Sequence, residues 1–215
     1  MTRGPYLLAT RSQGKLRELR QIFADFELEI VDLAAVGIDR RADEDDLERY
    51  ETFEENALAK ARYFFERGGG LPTFADDSGL CVDALDGQPG VYSKRWSGRT
   101  ELPESAIDVA NNEKLVESMR LAREEQGTRF TDAAKYVAVA AYKDVAIEVV
   151  RRGEIMGRIL QLPRGSGGFG YDPFFESPDL GGTFAQSALP NTAMVSHRAR
   201  AFRALLSALR VEGRL

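Results

Sequence analysis

Two adjacent carboxylates, Asp76 and Asp77, are followed by Ser78 and Gly79 and led into by Thr73-Phe74-Ala75. On an extended chain neighbouring side chains point to opposite faces, so the two aspartates serve different surroundings, and the one nearer the core needs a partner. Acidic ligands presented at the end of a strand suit a divalent cation, although the same residues also favour an Asp-Ser-Gly turn. The segment Thr10-Arg11-Ser12-Gln13-Gly14-Lys15 joins an apolar strand to a helix. Such a turn aims backbone N–H groups and the positive end of the helix dipole at an anion, with hydroxyls from Thr10 and Ser12 and a charge from Lys15. It lacks the full glycine spacing of a P-loop, and an ordinary N-cap reads the same way.

Asn56 and Lys60 lie four apart and share one helix face among the small residues Ala57, Ala59 and Ala61, where a lysine can neutralise charge on a transferring phosphoryl group. Residues 165–172 interleave glycines with Phe169 and Tyr171, combining backbone freedom with a ring that can stack on a base. His197, the single histidine, follows the N-cap candidate Ser196 and stands beside Arg198; the pair can grip the polar edge of a base or a phosphate oxygen. One histidine and one cysteine make no imidazole or thiolate metal cluster, and no motif sets His197 beside a serine nucleophile.

The elements that must position these residues follow from periodicity. Tyr6 to Ala9 reads as a strand, and the stripe Leu16, Leu19, Ile22 and Phe23 as a helix behind it, with a second strand at Leu28 to Val31. This is the opening of an α/β protein. Thr52 and Glu55 stand at capping-box spacing and start a helix over 53–67, which Gly68-Gly69-Gly70 ends. Short strands are expected at 73–75 and 80–83 around the acidic turn. A long helix runs from Pro103 to about Glu125, and strands at 136–142, 145–150 and 155–160 suggest an antiparallel meander. A helix from Ser196 carries the stripe Phe202, Leu205, Leu206 and Leu209.

The chain has 215 residues, enough for a sizeable core without disulfides, and Cys81 is expected to be a buried apolar residue in a strand. With 29 basic and 34 acidic side chains the net charge is -5, which argues against binding polymeric nucleic acid but not against a small phosphorylated ligand. No stretch reaches the ~20 apolar residues that span a bilayer. A cytoplasmic protein of one domain over 1–215 is expected, since no repeat and no linker divides it.

Taken in order, these segments resemble the inosine triphosphate pyrophosphatase family. The likeness runs from Tyr6 to about Leu209. It rests on 10–15, on Thr52-Phe53-Glu54-Glu55-Asn56-Ala57 with Lys60, on 74–80, on Pro89-Gly90-Val91-Tyr92-Ser93, on 167–173, and on Ser196-His197-Arg198. The resemblance implies a mixed, strongly curved central sheet flanked by helices, two lobes with an active-site cleft between them, and a homodimer. It implies hydrolysis of deaminated purine nucleoside triphosphates to monophosphate and pyrophosphate with Mg²⁺. Asp77 would be general base and metal ligand, Glu48 the matching ligand from the acidic stretch 43–55, and Asp76 their support in the metal site. Lys15 and Lys60 would hold the triphosphate, and Ser78 would add a substrate contact. Phe169, Gly170, Tyr171 and Asp172 would pack and read the base, and His197 with Arg198 its oxygen-bearing edge. Departures from the family pattern are Ser12 in place of Asn, Thr192 in place of Lys, and Ala185-Gln186-Ser187 where a Glu-Leu pair is usual; they bear on base selectivity. A Maf-like pyrophosphatase acting on another modified nucleotide, or a nucleotide-binding module without turnover, stays open at this point.

Overall fold

The computed structural model describes residues 4–99 and 101–215. Seven strands form one open mixed sheet in the order β2-β1-β3-β4-β5-β6-β7. They are β1 (Tyr6–Leu8), β2 (Ile30–Asp32), β3 (Thr73–Val82), β4 (Ala133–Lys143), β5 (Glu148–Ile159), β6 (Phe175–Ser177) and β7 (Gly182–Thr183). β1 is parallel to β2 and β3, whereas β6 is antiparallel to β5 and β7. The helices are α1 (Gln13–Ala24), α2 (Phe53–Arg67), α3 (Glu104–Gln126), α4 (Leu189–Val195) and α5 (His197–Val211). None of the described helices is long and apolar enough to cross a membrane.

The chain divides into two compact units. The first comprises residues up to Ser78 with 138–153 and 196–215, and the second 79–137 with 154–195. In the first, Phe74 of β3 centres an aromatic core, with ring centroids 4.9 Å from Phe23 and Tyr142 and 5.6 Å from Tyr6. The expected stripes of α1 and α5 face this core, with Leu19, Ile22, Phe23, Phe202, Leu205, Leu206 and Leu209 all fully buried. In the second, Tyr136, Phe175 and Phe184 stack together, with Tyr136 and Phe175 centroids 4.4 Å apart.

Three expectations are corrected. The segments at 73–75 and 80–83 are one continuous ten-residue strand, so Asp76 and Asp77 sit in its middle rather than in a turn. Each finds a partner on its own face, which meets the cost of burying it inside a strand. The strands expected at 145–150 and 155–160 are likewise one, β5, reached from β4 by a short hairpin over 144–147. Arg151, Arg152 and Gly153 read as a polar link, yet the arginines face outward and Gly153 lies under the first turn of α5. A Cβ there would stand 2.4 Å from both Ala201 N and His197 O, so only glycine lets the strand pass. Cys81 is half-buried rather than buried, bridging to Pro89 at the edge of β3.

Candidate active site

The alternation of β3 builds two charged networks, one on each face, both within the first unit. On one face Asp76 Oδ2 accepts from Lys15 Nζ at 2.9 Å and from Arg198 Nε at 3.2 Å. Lys15 comes from the first turn of α1, capped by Ser12, whose hydroxyl accepts from the Lys15 N–H at 3.5 Å. Thr10 Oγ1 accepts from the Ser12 N–H at 3.2 Å, closing the turn. Arg198 comes from the first turn of α5, where Ser196 caps the helix. Its guanidinium also donates to Ser78 Oγ at 3.0 Å and pairs with Glu18 of α1, which accepts from Ser196 Oγ as well.

This face alternates Lys15, Asp76, Arg198 and Glu18 and is neutral in sum. Burial opposes the charge on Asp76, but Lys15 and Arg198 overcome it and hold the carboxyl well below the usual carboxylate range. Lys15 is pushed down by burial against the pull of Asp76. His197 is buried beside Arg198, and burial with that neighbouring cation pushes the imidazole well below its ordinary value, so it is neutral.

On the other face Asp77 Oδ2 accepts from Asn56 Nδ2 at 3.0 Å, and Oδ1 lies 3.6 Å from Lys60 Nζ. Lys60 donates to Glu48 Oε1 at 2.7 Å. Asn56 and Lys60 do share one face of α2, as their spacing requires. The small residues beside them serve the core instead of a ligand, since Ala57 and Ala61 are fully buried. Asn56 also exchanges bonds with Tyr50: Nδ2 donates to its carbonyl at 3.2 Å and Oδ1 accepts from its N–H at 2.9 Å. This fastens the end of the acidic stretch beside Asp77. Two carboxylates thus share one ammonium and leave a surplus negative charge. Burial pushes the Asp77 carboxyl up and Glu48 adds to it, against the pull of Lys60.

Among the described residues no group of three or more His, Cys, Asp or Glu side chains stands together as a metal site. Magnesium characteristically takes one or two carboxylates and completes its shell with water and substrate phosphates. Glu48 and Asp77, both set against the Lys60 ammonium, are the pair of hard oxygen donors that would hold such a cation.

The glycine-rich loop belongs to the second unit and is more constrained than its composition suggests. A Cβ on Gly165 or Gly167 would meet the Ala185 backbone at 2.6 and 2.9 Å, and one on Gly168 would meet Asp172 Oδ2 at 2.1 Å. Asp172 is buried, accepting from the Phe169 N–H at 2.8 Å and from Tyr136 Oη at 3.0 Å. Tyr171 is packed in the core with its hydroxyl donating to the Ser93 carbonyl at 2.8 Å. Of the two aromatics offered for stacking, Phe169 is the exposed one, at 38%. Gly170 is clamped by α3, its N–H donating to Asp108 at 2.9 Å and its carbonyl accepting from Asn112 at 3.0 Å. Thr192 is buried on α4.

The buried acid Glu18 escaped the sequence reading. Its signal was the spacing of three from Lys15, which puts it on the same face of α1, together with the need of any buried arginine for a carboxylate.

Residues 6–208 match the Ham1 family. A dITP/XTP pyrophosphatase of Thermus thermophilus is 45% identical over 203 residues, covering 94% of this chain and 90% of the relative. One from Shigella flexneri is 42% identical over 207 residues, covering 95% and 97%. Among solved structures, a HAM1 protein from Coxiella burnetii superposes with a TM-score of 0.78 at 30% identity, covering 96% of this chain and 98% of that one. The Staphylococcus aureus Ham1 protein gives 0.76 at 31%, covering 97% and 100%. Match, identity and superposition all span nearly the whole chain, and the protein is a member of the Ham1 family.

Proposed function

We propose that this chain is a Mg²⁺-dependent pyrophosphatase that hydrolyses deaminated purine nucleoside triphosphates (ITP, dITP and XTP) to the monophosphate and pyrophosphate. The observation that carries this reading is the pair Glu48 and Asp77 sharing the Lys60 ammonium, with Lys15 across the same strand. Relatives at 45% and 42% identity bear the name dITP/XTP pyrophosphatase.

Glu48 and Asp77 would hold the cation, with Asp76 in support through Lys15 and Arg198. Bound Mg²⁺ supplies the positive charge that a triphosphate needs beside two carboxylates. Lys15 and Lys60 bind phosphate oxygens, each already pointed by its carboxylate partner, and the hydroxyls of Thr10, Ser12 and Ser78 add donors. Water attacks the α-phosphorus and its proton passes to Asp77; the bond to the α–β bridging oxygen breaks and pyrophosphate leaves. The bound cation would keep Asp77 ionised and able to take that proton. Asn56 holds Asp77 in place through Oδ2.

Specificity would come from the neutral His197 and from Arg198, which Glu18, Asp76 and Ser78 hold in one orientation. A donor there bonds to a 6-oxo oxygen and rejects the 6-amino group of adenine. Phe169 is the candidate to stack on the base. The same reading has the protein working as a cytoplasmic homodimer, which light scattering would check for the oligomeric state.

The test is pyrophosphate release from inosine, xanthosine, guanosine, adenosine and pyrimidine triphosphates with and without Mg²⁺. Metal-dependent turnover of the first two, far above the rest, is the expected result. A flat profile, or binding without release, would sink the reading.

A further inference from the structure

Arg11 stands in the β1–α1 loop between Thr10 and Ser12, yet its guanidinium turns away from both. Nε and Nη2 donate to the two oxygens of Glu44 at 3.0 and 2.8 Å, and Nη1 donates to the Ile38 carbonyl at 2.9 Å. From α2, Arg67 donates through Nη1 to Glu44 Oε1 at 2.8 Å and through Nη2 to the Asp39 carbonyl at 2.8 Å. The Arg41 N–H adds a bond to Glu44 Oε1 at 3.2 Å. The Glu44 side chain is only 7% exposed, so water screens these contacts little. Two guanidiniums on one buried carboxylate, one of them as a two-pronged fork, fix its position as well as its charge. The neighbouring Arg40–Asp45 pair, with both side chains more than two-thirds exposed, has no such hold.

Glu48 follows within one turn of chain. Glu44 lies in the short 3₁₀ helix Ala42–Asp46, and its carbonyl accepts from the Leu47 N–H at 3.2 Å. On the far side of Glu48, Asn56 grips the Tyr50 backbone. The carboxylate that reaches Lys60 is therefore slung between two anchors. One of them, Glu44, is tied to the very loop that offers Thr10, Ser12 and Lys15.

We infer that Glu44 is a positioning residue: clamped by Arg11 and Arg67, it sets the turn that carries Glu48 and couples that turn to the β1–α1 loop. Metal site and phosphate loop then keep one spacing. The coupling rests on the geometry alone; its bearing on metal affinity rests on the function proposed above.

The experiment uses the full chain with Glu44→Gln, with Arg11→Lys as a milder variant that keeps the charge and loses the fork, and with Asp45→Asn as the control. Backbone hydrogen exchange in nucleotide-free protein should quicken in Glu44→Gln both over 39–50 and over 10–15, and in Asp45→Asn in neither. Mn²⁺ binding without nucleotide should weaken, and the Mg²⁺ needed for half-maximal pyrophosphate release should rise, each roughly 10-fold, the usual scale when a group that orients a metal ligand is lost. The kcat at saturating Mg²⁺ should stay near that of the parent, a split that general destabilisation does not produce. Arg11→Lys should fall between. Exchange quickening over 39–50 alone, or unchanged metal dependence in both variants, would overturn the inference. A parent enzyme that releases no pyrophosphate from deaminated purine triphosphates would sink the proposed function, and the exchange result would still decide the coupling.

Discussion

Replacing Asp76 and Asp77 one at a time by asparagine should change stability by very different amounts, although the two are adjacent and both are buried. Asp76 is the anion between Lys15 and Arg198, whose side chains are 17% and 3% exposed. Removing it leaves the buried Lys15 ammonium without its carboxylate, while Arg198 keeps Glu18, and breaking a buried pair from one side costs about 3–5 kcal/mol. For a chain of this size 1 kcal/mol shifts the melting temperature by about 2–4 °C, so Asp76→Asn should lower it by about 6–20 °C at pH 7. Asp77 is the opposite case, because its carboxyl is pushed up by burial and by Glu48, and the folded state holds its proton more tightly than the unfolded chain does. Asp77→Asn removes a charge the site disfavours and keeps the shape that meets Asn56; it should cost less than about 1 kcal/mol or stabilise, in chelator. The pH dependence separates them further. The contribution of Asp76 is complete above its ordinary value of 3.8 and drains away as pH falls below that. That of Asp77 is complete below the ordinary value and drains away as pH rises through its raised one. Urea and thermal unfolding in chelator, run from pH 3 to 8, would read both slopes. Equal penalties for the two variants at pH 7, or an Asp76→Asn penalty that does not shrink in acid, would refute the assignment of the two networks.

Asn56→Ala should cost about 3–5 kcal/mol in urea unfolding, summed from two neutral bonds to Tyr50 and one to the Asp77 carboxylate. It should also raise the titration of the Asp77 carboxyl in chelator, since the Asn56 bond favours ionised Asp77. In the metal-free parent that carboxyl should titrate above the ordinary carboxylate value, and Glu48→Gln, by removing a like charge, should bring it down while raising the Mg²⁺ needed for turnover; NMR titration of the carboxyl in chelator and Mg²⁺ titration of turnover check both. Gly153→Ala forces a methyl against backbone atoms of α5 and should cost about 3 kcal/mol with a loss of activity, since that turn carries His197 and Arg198. Unfolding midpoints and turnover measured on the same samples test this.

Local signals were legible where chemistry and geometry are local. The cap Thr52, whose hydroxyl accepts from the Glu55 N–H at 3.2 Å, and the terminal Gly68 gave α2 its bounds. Ser12, Ser196 and the apolar stripes gave α1 and α5. What failed depended on partners far along the chain. Asp76 and Asp77 read as a turn because nothing near them shows that Lys15, 61 residues away, and Arg198, 122 residues away, will pair with a mid-strand carboxylate. Arg151-Arg152-Gly153 read as a break because only the folded chain shows α5 lying on Gly153. Glu18 went unnoticed, and Glu44 passed as one acid of the stretch 43–55, for the same reason: their arginines arrive from other elements. Tyr171 was offered for stacking on its type alone, and its hydroxyl belongs instead to the core at Ser93.

The placement of two unlike charge networks on consecutive residues of an interior strand has a consequence for how the gene can vary. Point substitutions alter one network and leave the other standing, whereas a codon gained or lost between Thr73 and Asp76 rotates every later side chain of β3 through half a turn. Asp77 would then face Lys15 and Arg198, and Asp76 would leave them. Divergence in this strand is therefore confined to exchange of letters at fixed length.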